Sequence, residues 1–171
     1  LKPGDRVAIM MPNLLQYVIA MYACLRAGYI VVNINPLYTS REVNGTLRDS
    51  EAKAIIIIEN FAKTLQNALP GTKCEHIITT AVGDLFPFFK RTLVNFVVRK
   101  VKKMVPEYSL PNAVGFNEAL EIGRRHGFTA HEIHNTDIAF LQYTGGTTGV
   151  AKGAILTHRN LLANLQQVGY W

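Results

Sequence analysis

Four consecutive isoleucines at positions 55–58 restrict most strongly how this chain can fold. With Ala54 before them they form an unbroken apolar run, which is typical of a strand that is buried on both faces of a sheet. A sheet covered on both faces is usually parallel, because the helices that connect its strands lie across it. The run therefore predicts a parallel sheet with helices on both sides.

The rest of the sequence alternates short apolar segments with helical ones. Besides 54–58, strands are predicted at residues 6–10, 29–33, 76–81 and 137–142. Helices are predicted at residues 14–27, 41–50 (capped by Ser40), 61–69 and 117–125. Strands that alternate with helices indicate βαβ crossovers. We therefore predict the α/β class, with a layered, mostly parallel sheet and flanking helices.

The length and the two ends of the chain indicate a piece of a larger domain. The 171 residues are 49% hydrophobic and 18% charged, which suffices for a sizeable core. The chain begins at Leu1 rather than Met, and it ends at Trp171 inside a predicted helix that has no stop signal. We expect residues 1–171 to form a single partial domain.

The cysteines and the apolar segments bear on location. Cys24 and Cys74 do not make a disulfide framework, and the sequence shows neither a signal peptide nor an apolar run of about 20 residues that could span a bilayer. A cytoplasmic location is therefore expected. The oligomeric state is left open.

The run YTGGTTGVAKG at residues 143–153 is the most specific motif of the chain. Glycines allow a tight turn that approaches a ligand, and successive backbone N–H groups in such a turn bind anions. The hydroxyls of Thr144, Thr147 and Thr148 add donors, and Lys152 adds positive charge. Together these groups predict a phosphate-binding loop. A flexible Gly/Thr hairpin without a ligand is the alternative.

Two common glycine-rich nucleotide motifs do not fit this run. The P-loop requires lysine followed directly by serine or threonine, whereas Lys152 stands between Ala151 and Gly153. The dinucleotide fingerprint requires G-x-G, whereas Gly145 and Gly146 are adjacent.

The run resembles the phosphate-binding signature of the acyl-adenylate-forming enzymes, the group of acyl-CoA synthetases, luciferases and peptide-synthetase adenylation domains. The common signature has proline before the lysine, where this chain has Ala151. That departure, with Tyr143 and the sequence THRNLLAN at 157–164, looks most like bacterial long-chain fatty acid–CoA ligases. The resemblance extends upstream through LKPGDRVAIMMPN (1–13) and RAGYIVVNINPLYTSREV (26–43). It is looser between residues 83 and 115.

This resemblance implies a fragment of the large N-terminal domain of an enzyme that joins a fatty acid to AMP with ATP and magnesium, and then transfers the acyl group to coenzyme A. Lys152 would be the catalytic residue. The loop residues that would bind the phosphates are Thr144, Gly145, Gly146, Thr147, Thr148, Gly149 and Lys152. The fragment alone is predicted to be inactive, because the other family motifs lie outside it. Another acyl- or aryl-adenylating enzyme, or a non-catalytic nucleotide- or membrane-binding module, is the alternative.

Residues 85–106 form a basic amphipathic segment within this domain. It carries six of the 18 basic residues and no acidic one, while the rest of the chain has 12 of each sign, which leaves a uniform nucleic-acid surface poorly supported. At helical spacing the apolar residues share one face, and Arg91, Arg99, Lys102 and Lys103 lie opposite. Such a helix either packs its apolar face on the domain or binds an anionic membrane, here the inner face of the cell membrane.

Three histidines, His126, His131 and His134, lie close together in the sequence. Their spacing does not place all three on one face, and no cysteine accompanies them. We therefore expect a polar loop here rather than a metal site.

Overall fold

The computed structural model describes residues 1–144 and 152–169, and a seven-stranded sheet organises this part of the chain. Its strands are ordered β5-β4-β3-β1-β2-β6-β7; β1 to β6 are parallel, and β7 runs antiparallel to β6. This arrangement confirms the predicted α/β class and its mostly parallel sheet. The strands are β1 (Arg6–Met10), β2 (Ile30–Asn33), β3 (Ala54–Ile58), β4 (His76–Thr80), β5 (Ala113–Gly115), β6 (Ile138–Thr144) and β7 (Lys152–Thr157).

Helices cover both faces of the sheet. Helices α2 and α3 pack on one face, and α1 and α5 pack on the other. A 3₁₀ turn (Glu59–Phe61) precedes α3, and a π-helical turn (Val97–Val101) continues α4. The helices are α1 (Leu15–Arg26), α2 (Ser40–Asp49), α3 (Ala62–Ala68), α4 (Phe88–Phe96), α5 (Phe116–His126) and α6 (His158–Gly169).

The isoleucine run forms β3, and every residue of Ala54–Ile58 is buried. Because side chains alternate across a strand, Ile55 and Ile57 face α2 and α3, while Ile56 and Ile58 face the side of α1 and α5. A strand that packs against helices on both sides has no polar face. The prediction of a doubly buried strand is therefore confirmed.

The prediction that Ser40 caps α2 was wrong by one residue. Thr39 is the cap: its hydroxyl accepts the backbone N–H of Glu42 at 3.4 Å, and a Glu42 carboxylate oxygen accepts the Thr39 N–H at 2.8 Å. This reciprocal pair requires a separation of three residues, which Thr39 has and Ser40 lacks.

The direction of the connections determines where the sheet can receive a ligand. The chain leaves β1 towards the face of α1, whereas it leaves β2 and β3 towards the face of α2 and α3. The connections that leave β1 and its neighbours therefore diverge to opposite faces of the sheet. In open α/β sheets, such a divergence at the carboxyl ends produces a crevice in which ligands bind.

Candidate functional site

The glycine-rich run connects β6 to β7 at the carboxyl edge of the sheet. Thr144 ends β6, Lys152 begins β7, and these two residues are cross-strand partners. The Lys152 side chain is exposed. Residues 145–151 lie outside the described residues, and so do five of the predicted phosphate-binding residues: Gly145, Gly146, Thr147, Thr148 and Gly149.

The residue before this pair, Tyr143, is 7% exposed and anchors the end of β6. Its ring lies against Gly153, its partner on β7, where an added Cβ would be 3.1 Å from two ring carbons. Its hydroxyl donates a hydrogen bond to Oδ2 of Asp49, the last residue of α2. Burial, together with the negative charge of Asp49, raises the pKa of the Tyr143 phenol above its usual range, so the hydroxyl keeps its proton.

A row of polar side chains crosses the carboxyl ends of the adjacent strands. The Tyr17 hydroxyl donates to Oδ1 of Asn33 at 3.0 Å, and Nδ2 of Asn33 donates to Oε1 of Gln142 at 2.9 Å. Burial raises the pKa of the Tyr17 hydroxyl, so this group also stays protonated. The row lies in a crevice of about 400 Å³ that is also lined by Asn13, Asn35, Tyr38 and Tyr143.

Sequence reasoning missed this polar row, although a signal for part of it exists. Asn33 and Gln142 both stand near the carboxyl ends of predicted strands, where apolar residues would otherwise be expected. Polar residues at that edge of a parallel sheet are candidates for ligand contacts. Tyr17 and Asp49 lie on helices, and nothing in the local sequence assigns them to this edge.

The basic segment 85–106 forms α4 and the π-helical turn, and it docks on the domain through polar groups. Oδ1 of Asn95 accepts the backbone N–H of Gly83 at 2.8 Å, and Nδ2 of Asn95 donates to Asp84 at 3.1 Å. One turn further on, Nε of Arg99 donates to both carboxylate oxygens of Glu59 at 2.9 Å. Sequence reasoning placed Arg99 on the basic face opposite the apolar one, and the structure adds that this half-exposed guanidinium pairs with the buried Glu59.

The apolar face of the segment points away from the described part of the domain. Phe89 is 86% exposed, and five other apolar side chains of the segment are more than half exposed too. The packing alternative, in which this face covers the domain core, is not what the described residues show. The exposed apolar residues of the segment are Phe88, Phe89, Leu93, Phe96, Val101 and Met104.

Two further observations concern metals and membranes. Within residues 1–144 and 152–169, no group of three or more histidine, cysteine or acidic side chains is placed to hold a metal ion. Over the same residues, no helix has the length and hydropathy required to cross a membrane.

Comparisons with known proteins agree with this architecture. The chain is 58% identical to the long-chain-fatty-acid–CoA ligases of Salmonella typhimurium, over 168 residues, and of Haemophilus influenzae, over 167 residues. Each alignment covers 98% of this chain and 30% of the relative. The crystal structure of a long-chain-fatty-acid-CoA ligase from Archaeoglobus fulgidus superimposes with a TM-score of 0.66 at 27% identity, covering 98% of this chain and 28% of that one.

The chain thus spans about 30% of the length of these curated relatives. A family model described as "AMP-binding enzyme" matches all of residues 1–171, which include the β6–β7 hairpin and the polar strand ends beside it. The protein belongs to the AMP-binding enzyme family.

Proposed function

We propose that this chain is part of a long-chain fatty acid–CoA ligase. The enzyme would activate a fatty acid with ATP to an acyl-AMP and then form acyl-CoA, releasing pyrophosphate and AMP. The observation that carries the proposal is the 58% identity to bacterial ligases of that name over 98% of the chain. Because the chain spans 30% of those relatives, we expect residues 1–171 alone not to complete the reaction.

The chemistry explains why such an enzyme needs a phosphate-binding loop. A carboxylate is a poor acyl donor until its oxygen is joined to a good leaving group, which AMP supplies. When the carboxylate attacks the α-phosphate, negative charge gathers on the departing pyrophosphate. Fixed N–H donors and a cation aimed at that charge stabilise the transition state, because they need little reorganisation.

The chain offers these groups in the segment that connects β6 to β7. In our proposal the backbone and hydroxyl groups of 144–149 surround the β- and γ-phosphates, and Lys152 adds the positive charge. The pairing of Thr144 with Lys152 supports this assignment, because the lysine then lies where the connection joins β7. The exposure of the Lys152 side chain leaves it accessible to a ligand.

Magnesium enters this proposal only as the ion that accompanies ATP. Mg²⁺ prefers carboxylate and phosphate oxygens, and it is usually held by one or two carboxylates together with the substrate phosphates. The described residues provide no cluster of acidic side chains for it. The threonine hydroxyls at 144, 147 and 148 are the oxygen donors that the motif itself could offer.

We also propose that segment 85–106 contacts an anionic membrane, in the cell the inner face of the cell membrane. The outward phenylalanines Phe88, Phe89 and Phe96 would enter the interface between headgroups and acyl chains. Lys100, Lys102 and Lys103 are exposed near the end of the same segment and would face anionic headgroups. Contact with a membrane would bring the enzyme close to a poorly water-soluble substrate.

An assay of the full-length gene product tests the proposed reaction. With palmitate, ATP, magnesium and coenzyme A, we expect pyrophosphate release together with palmitoyl-CoA, identified by mass spectrometry. Omitting coenzyme A should leave acyl-AMP on the enzyme. Turnover with benzoate or anthranilate and none with palmitate would instead favour an aryl-activating enzyme.

A further inference from the structure

The carboxylate of Asp49 reaches the glycine-rich run from a distant part of the chain. Asp49 is the last residue of α2 and lies 94 positions before Tyr143. Its carboxylate accepts a hydrogen bond from the Tyr143 hydroxyl. Asp49 is outside the residues 143–153 that make up the motif. This hydrogen bond joins a side chain of α2 to a side chain at the end of β6.

Tyr143 connects Asp49 to both strands of the hairpin. It belongs to β6, and its ring covers Gly153 on β7 so closely that a Cβ on Gly153 would lie 3.1 Å from the ring. The next pair along the hairpin is Thr144 with Lys152, from which the connection extends. The Tyr143 ring therefore lies next to both ends of the connection.

We propose that Asp49 is a positioning residue for ATP. By holding the Tyr143 hydroxyl, it fixes the Thr144–Lys152 pair and thereby the groups that meet the phosphates. This inference rests on the proposed function and adds a residue outside the motif to the same site. If these groups move away from the phosphates, the enzyme loses contacts with bound ATP, so the hydrogen bond of Asp49 matters for ATP binding.

The exposure of Asp49 separates this role from a general contribution to folding. Tyr143 is buried, but the Asp49 side chain is exposed, so water can replace the carboxylate as acceptor and the loss in the free energy of unfolding should lie at the lower end of the range for an unpaired buried donor. A loss of the contact should therefore leave the fold intact and appear in the binding of ATP. Asp49→Asn keeps an oxygen that accepts the phenol hydrogen, whereas Asp49→Ala removes it.

The test measures kcat, and KM for ATP, palmitate and coenzyme A, in the full-length enzyme, together with its melting temperature. Asp49→Ala should raise KM for ATP by about fivefold, the equivalent of one net hydrogen bond, with unchanged KM for the other substrates. Asp49→Asn should restore most of the wild-type value. Arg48→Ala, at the exposed neighbouring position of α2, is the matched control and should behave as wild type.

The possible outcomes are distinguishable. A wild-type enzyme without ATP-dependent acyl-CoA formation would remove the proposed function itself. An active wild type together with an Asp49→Ala variant of unchanged KM for ATP would overturn the role of Asp49 alone. Equal changes in all three KM values with a lower melting temperature would also overturn it. Gly153→Ala, which pushes on the Tyr143 ring from the other side, should reproduce the rise in KM for ATP.

Discussion

The guanidinium of Arg99 holds the carboxylate of Glu59, a side chain that is only 3% exposed and lies 40 positions earlier in the chain. The ion pair raises the pKa of Arg99 above its usual range, so the guanidinium is permanently charged. Together with Asn95, Arg99 directs the polar side of α4 towards the domain. Surface helices usually bury their apolar side, whereas α4 turns its polar side to the domain and exposes its apolar side.

Removing Arg99 should destabilise the protein. Arg99→Ala leaves the buried Glu59 carboxylate without its cation, which in buried pairs costs about 3–5 kcal/mol. Because the Arg99 side chain is 50% exposed, we expect a smaller loss, roughly 1–2 kcal/mol, in the free energy of unfolding measured with urea. In a double-mutant cycle with Glu59→Gln, the second change should cost less than it does in the wild type. Strictly additive losses would contradict the pairing.

Reversing the exposed charges should weaken membrane binding. Lys102→Glu combined with Lys103→Glu should lower the affinity for phosphatidylglycerol vesicles by at least about tenfold, since each basic residue near such a surface contributes about 1 kcal/mol. Sedimentation at low and high salt measures the effect. The control is the double variant Arg124→Glu with Arg125→Glu, which makes the same change in charge on α5. A similar loss in both double variants would argue against a specific surface.

Shortening an outward phenylalanine should weaken the same binding without changing its dependence on salt. Phe89 is 86% exposed, and burying a side chain of this size is worth about 1.5–3 kcal/mol. Phe89→Ala should therefore reduce vesicle binding by roughly tenfold, while its melting temperature stays near that of the wild type. Phe128→Ala, at a 52% exposed position outside the segment, is the control. The idea fails if Phe89→Ala binds as well as wild type.

Replacing Lys152, the first residue of β7, should slow the first chemical step. In the full-length enzyme, Lys152→Ala should lower the single-turnover rate of acyl-AMP formation by about 100-fold, the usual effect of losing one stabilising group. Its melting temperature should not change, because the side chain is exposed. Arg159→Ala, beyond the far end of β7, removes another exposed cation as a control. An unchanged rate in Lys152→Ala would exclude this lysine from the mechanism.

Acid should weaken a contact near the start of β1. The Lys53 ammonium, 2.8 Å away, and the backbone N–H of Lys2 lower the pKa of the Asp5 carboxyl below its ordinary value of 3.8. A carboxyl with a lowered pKa in the folded state adds stability above its unfolded pKa, and this stability disappears as the pH falls through the folded pKa. Asp5→Asn should therefore lower the free energy of unfolding at neutral pH, and its difference from wild type should narrow below about pH 4. Urea unfolding over this range measures it, and a constant difference would refute the assignment.

Much of the fold could be predicted because its signals are local. The isoleucine run, the alternation of strand and helix segments and their boundaries to within a few residues follow from neighbouring side chains. The start of α2 was missed by one residue although its signal is local as well. Thr39 and Ser40 are both good caps by residue type, and the three-residue spacing from Thr39 to Glu42, a capping-box pattern present in the sequence, distinguishes them.

The sequence by itself determined the α/β class, the position of the glycine-rich run between two strands, and the family resemblance carried by residues 143–153. These properties depend on patterns over a few consecutive residues. Only the tertiary structure decided that Asp49 meets Tyr143, that Asn33 meets Gln142, and that α4 faces the domain with its polar side. The partners in these contacts are far apart in the chain and become neighbours only when the crossovers stack the strands. Helical periodicity separates the two sides of a helix, but the buried partners of the folded domain select which side faces inward.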